Sequence, residues 1–217
     1  MATRYDAHGP QAEFEPGSRG RVLRNLLGIR LVREMAQSES EALLVATQRN
    51  IDETRVDQRF RADDIARMHR TWLRAIYAWA GEYRQVNMQK GNFIFAAADQ
   101  VPRLMLEWER GPLRQFTPCR SQDIEEQARA LAIVHAELIL IHPLRDENGR
   151  CARMLAVLMG LQAGLPALDF GGVRGEMKHR YIAAVHAAVG RDYALMTDLF
   201  RSIIERTRRL QIRALQR

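Results

Sequence analysis

The most constraining feature of this 217-residue sequence is a helical repeat of apolar residues, which recur at spacings of three and four along most of the chain. That spacing places the apolar side chains on one face of an α-helix, so each segment can bury one side against its neighbours. The pattern predicts a mainly α-helical fold, arranged as a helical bundle. The repeat covers residues 31–51, 62–81, 100–111, 122–142, 149–165, 174–190 and 192–210.

One segment, "GEYRQVNMQKGNFIFAAA" at Gly81–Ala98, departs from the helical repeat. Its residues alternate and then meet the turn sequence Lys90-Gly91-Asn92, which predicts a short β-hairpin. A two-stranded hairpin is marginally stable alone in water, so we expect it to pack against the helices or to gain a third strand. Either arrangement makes the hairpin a flap with an open edge.

The composition favours one domain with a buried core, since 47% of the residues are hydrophobic and no change in composition divides the chain. We expect this domain at residues 21–210, between an N-terminal extension (1–20) and a basic C-terminal tail (211–217). No apolar run reaches the roughly 18 residues that cross a bilayer, and the N-terminus lacks a signal-peptide core, which favours a cytoplasmic protein with no membrane partner. Cys119 and Cys151 are too few for a disulfide framework and are predicted to be free thiols.

The net charge of +7 raises the question of a polyanionic partner. The densest basic run is the C-terminal "ERTRRLQIRALQR". Its cations suit the negative end of a helix dipole, and no aromatic residues interleave it as a base-stacking surface would require. The run is therefore interpreted as a solvated helix end, and nucleic-acid binding is not expected.

The loop "IHPLRDENGR" (141–150) joins two of the predicted helices and carries the chemistry. The helix that opens at Asn148-Gly149 presents unpaired N–H groups and the positive end of its dipole, which suits an anion. Arg150 and Arg153 project from one face of its first turn, where their guanidinium groups can hold phosphate oxygens. Asp146 can hold a Mg²⁺ ion that bridges phosphates, and His142 can accept a proton near neutral pH. The combination predicts phosphoryl or nucleotidyl transfer, although each residue alone has a structural explanation.

The stretch "HPLRDENGRCAR" resembles the signature of Fic-domain proteins, His-Pro-Phe-x-Asp/Glu-Gly-Asn-Gly-Arg-x-x-Arg. The likeness extends to "EPGSRGRVLRNLLGI", "IYAWAGEYRQVNMQKGNFIFAAA" and "GLPALDFGGVRGEMKHRYIAAV", which are similar to stretches of stand-alone bacterial Fic proteins. The signature is matched at His142, Pro143, Asp146, Asn148, Gly149, Arg150 and Arg153.

The resemblance implies a Fic-fold helical bundle with a hairpin flap over the active site, and transfer of AMP from ATP to a Ser, Thr or Tyr hydroxyl of a target protein, with release of pyrophosphate. By this likeness His142 is the general base and Asp146 holds Mg²⁺ on the α- and β-phosphates. Lys90 and Gly91 lie beside the nucleotide, and the flap edge (85–96) pairs with an extended segment of the target. The triphosphate is expected on Glu147, Asn148, Gly149, Arg150 and Arg153.

Two positions depart from the family signature. Leu144 replaces Phe, and we expect it to anchor the loop in the core at a small cost in stability. Glu147 replaces the first Gly, where its carboxylate could crowd a phosphate, turn to solvent while its main-chain N–H contacts the anion, or assist the metal. The solvent-facing arrangement is the prediction, because the cradle acts through main-chain groups.

Many relatives carry an inhibitory helix with the motif Ser/Thr-x-x-x-Glu-Gly/Asn. The only similar spacing here is Ser121-x-x-x-Glu125, which is followed by Glu126 and lies before the helix that leads to His142. The sequence therefore predicts no built-in inhibitory helix, and restraint would come from a separate antitoxin-like protein or from Glu147.

Two alternatives to AMP transfer remain at this point. One is another phosphoryl or nucleotidyl transfer, although the related Doc toxins, which phosphorylate, carry Lys where Gly149 stands. The other is a degenerate Fic fold that acts as a binding module, because Glu147 alters the cradle.

Overall fold

The computed structural model describes residues 6–7, 11 and 13–216. Within these residues most of the chain is helical, as predicted. The helices are α1 (Val32–Glu53), α2 (Ala62–Leu73), α3 (Val101–Trp108), α4 (Arg114–Phe116), α5 (Ile124–Ile141), α6 (Asn148–Gln162), α7 (Glu176–Ala188) and α8 (Ala194–Leu215).

The predicted helix at residues 62–81 is wrong in its second half, because α2 ends at Leu73. The chain turns back so that Gly81 lies against α2, where its N–H donates to Nδ1 of His69 at 2.8 Å. A Cβ atom at Gly81 would lie 2.8 Å from the carbonyl oxygen of Ala66, and its φ is +82°. Only glycine tolerates that approach and that backbone conformation.

The helix predicted at residues 100–111 is also shorter than expected, because α3 gives way to a π-helical turn at Glu109–Leu113. Pro112 within this turn has no N–H to donate to the preceding turn, and Gly111 has non-helical angles. The break therefore follows from the Gly-Pro pair.

The predicted hairpin is confirmed as β2 (Met88–Lys90) and β3 (Phe93–Ile94), and it gains a third strand. That strand is β1 (Asp6–Ala7), which pairs antiparallel with β2 so that Asp6 lies opposite Gln89 and Ala7 opposite Met88. The strand order is β1-β2-β3. The outer edge of β2 is thus covered by β1, and among the described residues β3 is the strand at the other side of this sheet.

The chain divides into two compact units. The first comprises the described residues up to Glu53, with Ala62–Leu106 and Ile141–Cys151; the second comprises Thr54–Arg61, Glu107–Leu140 and Ala152 onwards. In the first unit α1 packs against α2, and in the second α7 packs against α8.

Residues 211–215 continue α8, so most of the predicted tail is helical. The boundaries 1–20, 21–210 and 211–217 stay a prediction. Across the part of the chain that the structure describes, no helix combines the length and the apolarity that a membrane span requires. The two cysteines are buried free thiols, as predicted, and burial raises the pKa of Cys119 to about 11.

Two buried histidines make stability depend on pH. Burial lowers the pKa of His69 and of His135 to about 4 each, and Nε2 of His135 lies 2.9 Å from the Tyr181 hydroxyl. His135 is thus a hydrogen-bonded core residue.

We predict that acidification destabilises the fold through these histidines. An unfolded histidine takes up a proton near pH 6.5, whereas the buried ring stays neutral down to about pH 4. The stabilising contribution is complete above pH 6.5 and is lost as the pH falls, by about 1.4 kcal/mol per pH unit for each histidine. Urea unfolding at pH 7, 6 and 5 should show a loss of about 3–4 kcal/mol in the free energy of unfolding, and about half of that in His135→Gln. A wild-type value that stays constant from pH 7 to pH 5 would contradict this.

Candidate active site

The loop between α5 and α6 holds its shape through two residues in the left-handed region. His142 has φ +53° and Glu147 has φ +63°. The Glu147 carbonyl accepts the N–H groups of Arg150 and Cys151, both at 3.0 Å, and these bonds start α6. A left-handed residue at position 147 explains why the family signature has Gly there.

Asn148 closes the loop with its side chain. Its Oδ1 accepts the Leu144 N–H at 2.8 Å, and its Nδ2 donates to the Leu144 carbonyl at 2.8 Å. Leu144 is fully buried and bridges to Tyr83 in antiparallel fashion, so its predicted anchoring role is confirmed. Because the Asn148 amide is engaged in the loop, only the main chain of Asn148 stays open to a nucleotide.

The start of α6 offers an anion cradle. The N–H groups of Asn148 and Gly149 precede the first helical hydrogen bonds and donate to no group among the described residues. Together with the positive end of the helix dipole they form a site suited to a phosphate.

Arg84 connects this loop to the flap through hydrogen bonds of its buried side chain. Its side chain is 1% exposed and donates to the carbonyl groups of His142 at 2.6 Å, Val86 at 2.7 Å, Ile141 at 3.3 Å and also Ala96. The Arg84 main-chain N–H donates to Pro143 at 2.8 Å. Burial lowers the pKa of Arg84 to about 10, so the guanidinium stays charged at neutral pH. One buried cation thus satisfies carbonyls from both the active-site loop and the flap.

His142 lies beneath the flap. Its imidazole stacks on the Phe95 ring, with the ring centres 3.7 Å apart and the planes 18° apart. Phe95 follows β3, and its N–H donates to the Met88 carbonyl at 3.1 Å. The flap therefore fixes the orientation of the imidazole.

Two carboxylates hold Arg150. Its Nε lies 3.3 Å from Oε2 of Glu147, and its Nη1 lies 3.8 Å from Oε2 of Glu39. The guanidinium also lies over the Trp72 ring, 5.6 Å from its centre. The Arg150 side chain is 30% exposed, so part of the guanidinium can still meet a ligand.

Glu39 is itself held by α2 and by the turn after it. Its Oε1 accepts the Tyr77 hydroxyl at 2.7 Å, and its carbonyl accepts the Trp72 indole N–H at 2.8 Å. Burial and the Glu39 carboxylate raise the pKa of Tyr77, which keeps that hydroxyl a donor. Glu39 thereby orients Arg150 from outside the loop.

The prediction that Glu147 turns to solvent is wrong. The residue is 1% exposed, because the left-handed backbone directs its carboxylate to Arg150 instead of outward. Its main-chain N–H donates to Oδ1 of Asp146 at 2.7 Å, so that group is engaged as well. The Glu147 carboxylate therefore lies beside Arg150, one of the two arginines that the sequence predicts to bind phosphate.

We predict that Glu147→Gly tightens ATP binding by about fivefold, or about 1 kcal/mol, because it removes a carboxylate that competes with phosphate for Arg150. Glycine also accepts φ +63° without the cost that a side chain adds. Glu147→Gln is the matched control: it keeps the side-chain volume but not the charge, and should give most of the gain. The measurement is titration calorimetry with MgATP. Affinity at or below that of the wild type in both variants would contradict the competition.

The remaining predicted residues fall in three places. Asp146 is half-buried beside the cradle, and its Oδ1 accepts the Glu147 N–H. Lys90 and Gly91 lie at the turn between β2 and β3, where Gly91 has φ +57°. Arg153 is exposed on α6 in the second unit, where its charge lowers the pKa of His135. Among the described residues no cluster of three or more His, Cys, Asp or Glu suits a metal.

Sequence reasoning missed Arg84, Glu39 and Phe95. Each acts on a loop residue far away in the chain: Arg84 contacts a carbonyl 58 residues later. The only local signal was Glu39 in an apolar helical repeat, where a charge on the buried face needs a partner. Glu125, the acidic residue of the Ser121 spacing, pairs with Arg201 at 2.6 Å, and the absence of an inhibitory helix stays a prediction.

Comparison with known proteins identifies the domain. The family model of the Fic/DOC family matches residues 59–159. The protein adenylyltransferase VbhT of Bartonella schoenbuchensis is 27% identical over 158 residues, 73% of this chain and 32% of VbhT. The protein adenylyltransferase fic-1 of Caenorhabditis briggsae is 32% identical over 130 residues, 58% of this chain and 24% of fic-1. The chain thus spans a third or less of the length of these relatives.

A solved structure shows the same fold. The BepC protein of Bartonella tribocorum, a VirB-translocated effector crystallised with bound AMPPNP, superposes with a TM-score of 0.69 at 23% identity, covering 83% of this chain and 91% of that one. The match at residues 59–159 includes the flap and the whole loop from His142 to Arg153. Residues 59–159 of the chain therefore form a domain of the Fic/DOC family.

Proposed function

We propose that this chain is a protein adenylyltransferase, which transfers AMP from ATP to a Ser, Thr or Tyr hydroxyl of a target protein and releases pyrophosphate. The observation that carries the proposal is one loop that joins an imidazole, His142, to an open helix start with Arg150 beside it. The names of VbhT and fic-1 as protein adenylyltransferases support it.

In this mechanism the triphosphate lies on the N–H groups of Asn148 and Gly149, with Arg150 and Arg153 neutralising its charge. His142 accepts the proton of the target hydroxyl as that oxygen attacks the α-phosphorus. The Phe95 ring stacks on the imidazole, and Arg84 donates a hydrogen bond to the His142 carbonyl. These two contacts keep the imidazole in place during the attack.

Asp146 is the residue that would hold Mg²⁺. The Asp146 carboxylate is half-buried, and its Oδ1, not its Oδ2, accepts the Glu147 N–H. Such a carboxylate fits Mg²⁺, which prefers one or two carboxylates together with phosphate oxygens and water. The bound ion would supply charge stabilisation for the leaving pyrophosphate.

We further propose that Lys90 and Gly91 face the nucleotide from the flap turn, and that the flap receives an extended segment of the target. A separate antitoxin-like protein would restrain the enzyme. The activity would take place in the cytoplasm, which suits two reduced thiols.

Labelled ATP tests the proposal. The chain is incubated with a cell lysate and with ATP labelled at either the α- or the γ-phosphate, with MgCl₂ present. Protein labelled from the α-position and not from the γ-position is the expected result. Label from the γ-position would indicate a kinase, and no label from either would indicate a binding module.

A further inference from the structure

A cavity of about 390 Å³ lies in the second compact unit, and most of the residues around it are arginines. We call it the arginine cavity. None of its residues belongs to the flap or to the loop between α5 and α6, so it shares no residue with the candidate active site. The described residues that line it are Arg59, Phe60, Arg61, Glu109, Arg110 and Arg114.

The first wall of the arginine cavity is the segment 59–61, which leads into α2. Phe60 is 2% exposed, so its ring anchors the segment in the core. Arg59 and Arg61, on either side of it, are exposed. Burial of the aromatic ring therefore fixes the main chain that carries both cations.

The second wall is the π-helical turn at Glu109–Leu113, together with the residue that follows it. Leu113 is fully buried and anchors the turn, whereas Arg110 and Arg114 are exposed and lie four positions apart. Two like charges at this spacing weaken a helix. Single π-helical turns occur frequently at functional sites. The turn thus keeps an unfavourable pair of cations beside one cavity.

Three of the four arginines lack a partner within the protein. Over the part of the chain that the structure describes, the guanidinium groups of Arg59, Arg110 and Arg114 form no hydrogen bond and no ion pair. Exposed arginines elsewhere do pair when a carboxylate is near, as Arg49 does with Glu53 at 2.7 Å. The donors of the three unpaired guanidinium groups are therefore available to a ligand.

The charge of the lining indicates the kind of ligand. Four guanidinium groups and one carboxylate leave a formal charge of +3. Guanidinium groups bind phosphate oxygens through two parallel hydrogen bonds, a geometry that a lysine cannot supply. One phosphate group carries a charge of about −1.5 to −2 at neutral pH, so more than one is needed to balance the cavity.

The shape of the arginine cavity favours a small molecule over a nucleic-acid chain. Its volume of about 390 Å³ lies in the range of roughly 300–1,000 Å³ that is typical of small-molecule sites. A single-strand site is instead a basic groove along the backbone, with aromatic rings exposed for base stacking. The aromatic residue in the described lining, Phe60, is buried and offers no such surface.

We infer that the arginine cavity binds a small molecule with two or more phosphate groups, either an inorganic oligophosphate or the phosphate chain of a nucleotide. Arg59, Arg110 and Arg114 supply the donors. This phosphate site is distinct in its residues from the start of α6, and it does not depend on whether the chain transfers AMP.

Titration calorimetry of the full chain with sodium triphosphate, in the presence of EDTA, tests the inference. The cavity variant is Arg110→Gln/Arg114→Gln, which removes two exposed charges and leaves the buried anchors intact. The matched control, the α8 variant, is Arg209→Gln/Arg213→Gln, because these arginines are also exposed and four positions apart, and their loss changes the net charge equally. Affinity at the cavity should fall about tenfold or more in the cavity variant and by less than about twofold in the α8 variant.

The number of bound triphosphates separates the arginine cavity from the candidate active site. If both sites bind triphosphate, the wild type should take up two and the cavity variant one. If the proposed function is wrong and the start of α6 binds no phosphate, the wild type should take up one and the cavity variant none. A difference of one supports the inference in either case.

The same titrations with ATP identify the source of the phosphate groups. A larger loss of affinity for ATP than for triphosphate in the cavity variant would show that the nucleoside is bound as well. An equal loss would show that the cavity binds the phosphate chain alone.

Three results would overturn the inference. One is a cavity variant that binds as many triphosphates as the wild type with the same affinity. Another is an equal loss in the cavity variant and the α8 variant, which would show a response to net charge alone. The third is weaker binding of a single-stranded oligonucleotide by the cavity variant with triphosphate binding unchanged, which would assign the cavity to nucleic acid.

Discussion

Replacing His142 with alanine should lower the rate of AMP transfer by a factor of about 10² or more, the usual contribution of a general base. The imidazole lies under the flap and outside the α6 cradle, so the loss should appear in kcat while the affinity for ATP changes little. The measurement is the initial rate of transfer from α-labelled ATP, together with calorimetry of MgATP binding.

His179→Ala is the control for His142→Ala, because His179 is an exposed histidine on α7. It should retain the wild-type rate. A His142→Ala variant that transfers AMP within a factor of about three of the wild type would remove the imidazole from the mechanism, since general bases contribute far more.

Replacing Arg84 with alanine should lower the free energy of unfolding by about 3–5 kcal/mol, because several buried carbonyl groups lose their donor at once. The acceptors of its side chain belong to Val86 and Ala96 of the flap and to Ile141 and His142 of the loop. Activity should fall with stability, since the same bonds hold the His142 main chain.

Urea unfolding of Arg84→Ala and of Arg74→Ala tests this prediction. Arg74 is an exposed arginine in the same unit, and its loss should change the free energy of unfolding by less than about 0.5 kcal/mol. Arg84→Lys is informative as well, because one ammonium group cannot replace the planar fork of donors and should recover only part of the loss. Equal stability of the Arg84 and Arg74 variants would contradict the role assigned to Arg84.

The helices were predictable because their signal is local. Apolar spacing, and the Gly and Pro residues that end helices, lie within a few positions of the structure that they determine. Both ends of α1 and of α5 lie within two residues of the predicted ends, and both ends of α6 lie within three. The error at residues 74–81 arose because the contact of Gly81 with α2, and not the periodicity, decides where the helix ends.

The loop between α5 and α6 was predictable in its position but not in its contacts. His142 and Asp146 lie in this loop and Gly149 lies at the start of α6, as the sequence predicts. The direction of the Glu147 side chain depends on Arg150 and on a backbone angle that the sequence does not reveal. Arg84 looked like an ordinary surface arginine in the sequence, because its acceptors lie up to 58 residues away.

Sequence reasoning allowed for a third strand in the hairpin, but it did not identify the segment that supplies it, for the same reason. Two residues carry no recognisable alternation, and β1 pairs with a strand more than 80 positions later. Its consequence is that β1 covers one edge of β2.

The central claim is that the start of α6 holds the nucleotide within reach of His142. A crystal structure of the chain with Mg²⁺ and a non-hydrolysable ATP analogue tests it most directly. The account predicts the phosphates on the N–H groups of Asn148 and Gly149, with the α-phosphorus on the side of the His142 ring. A nucleotide bound elsewhere, with that helix start empty, would contradict it.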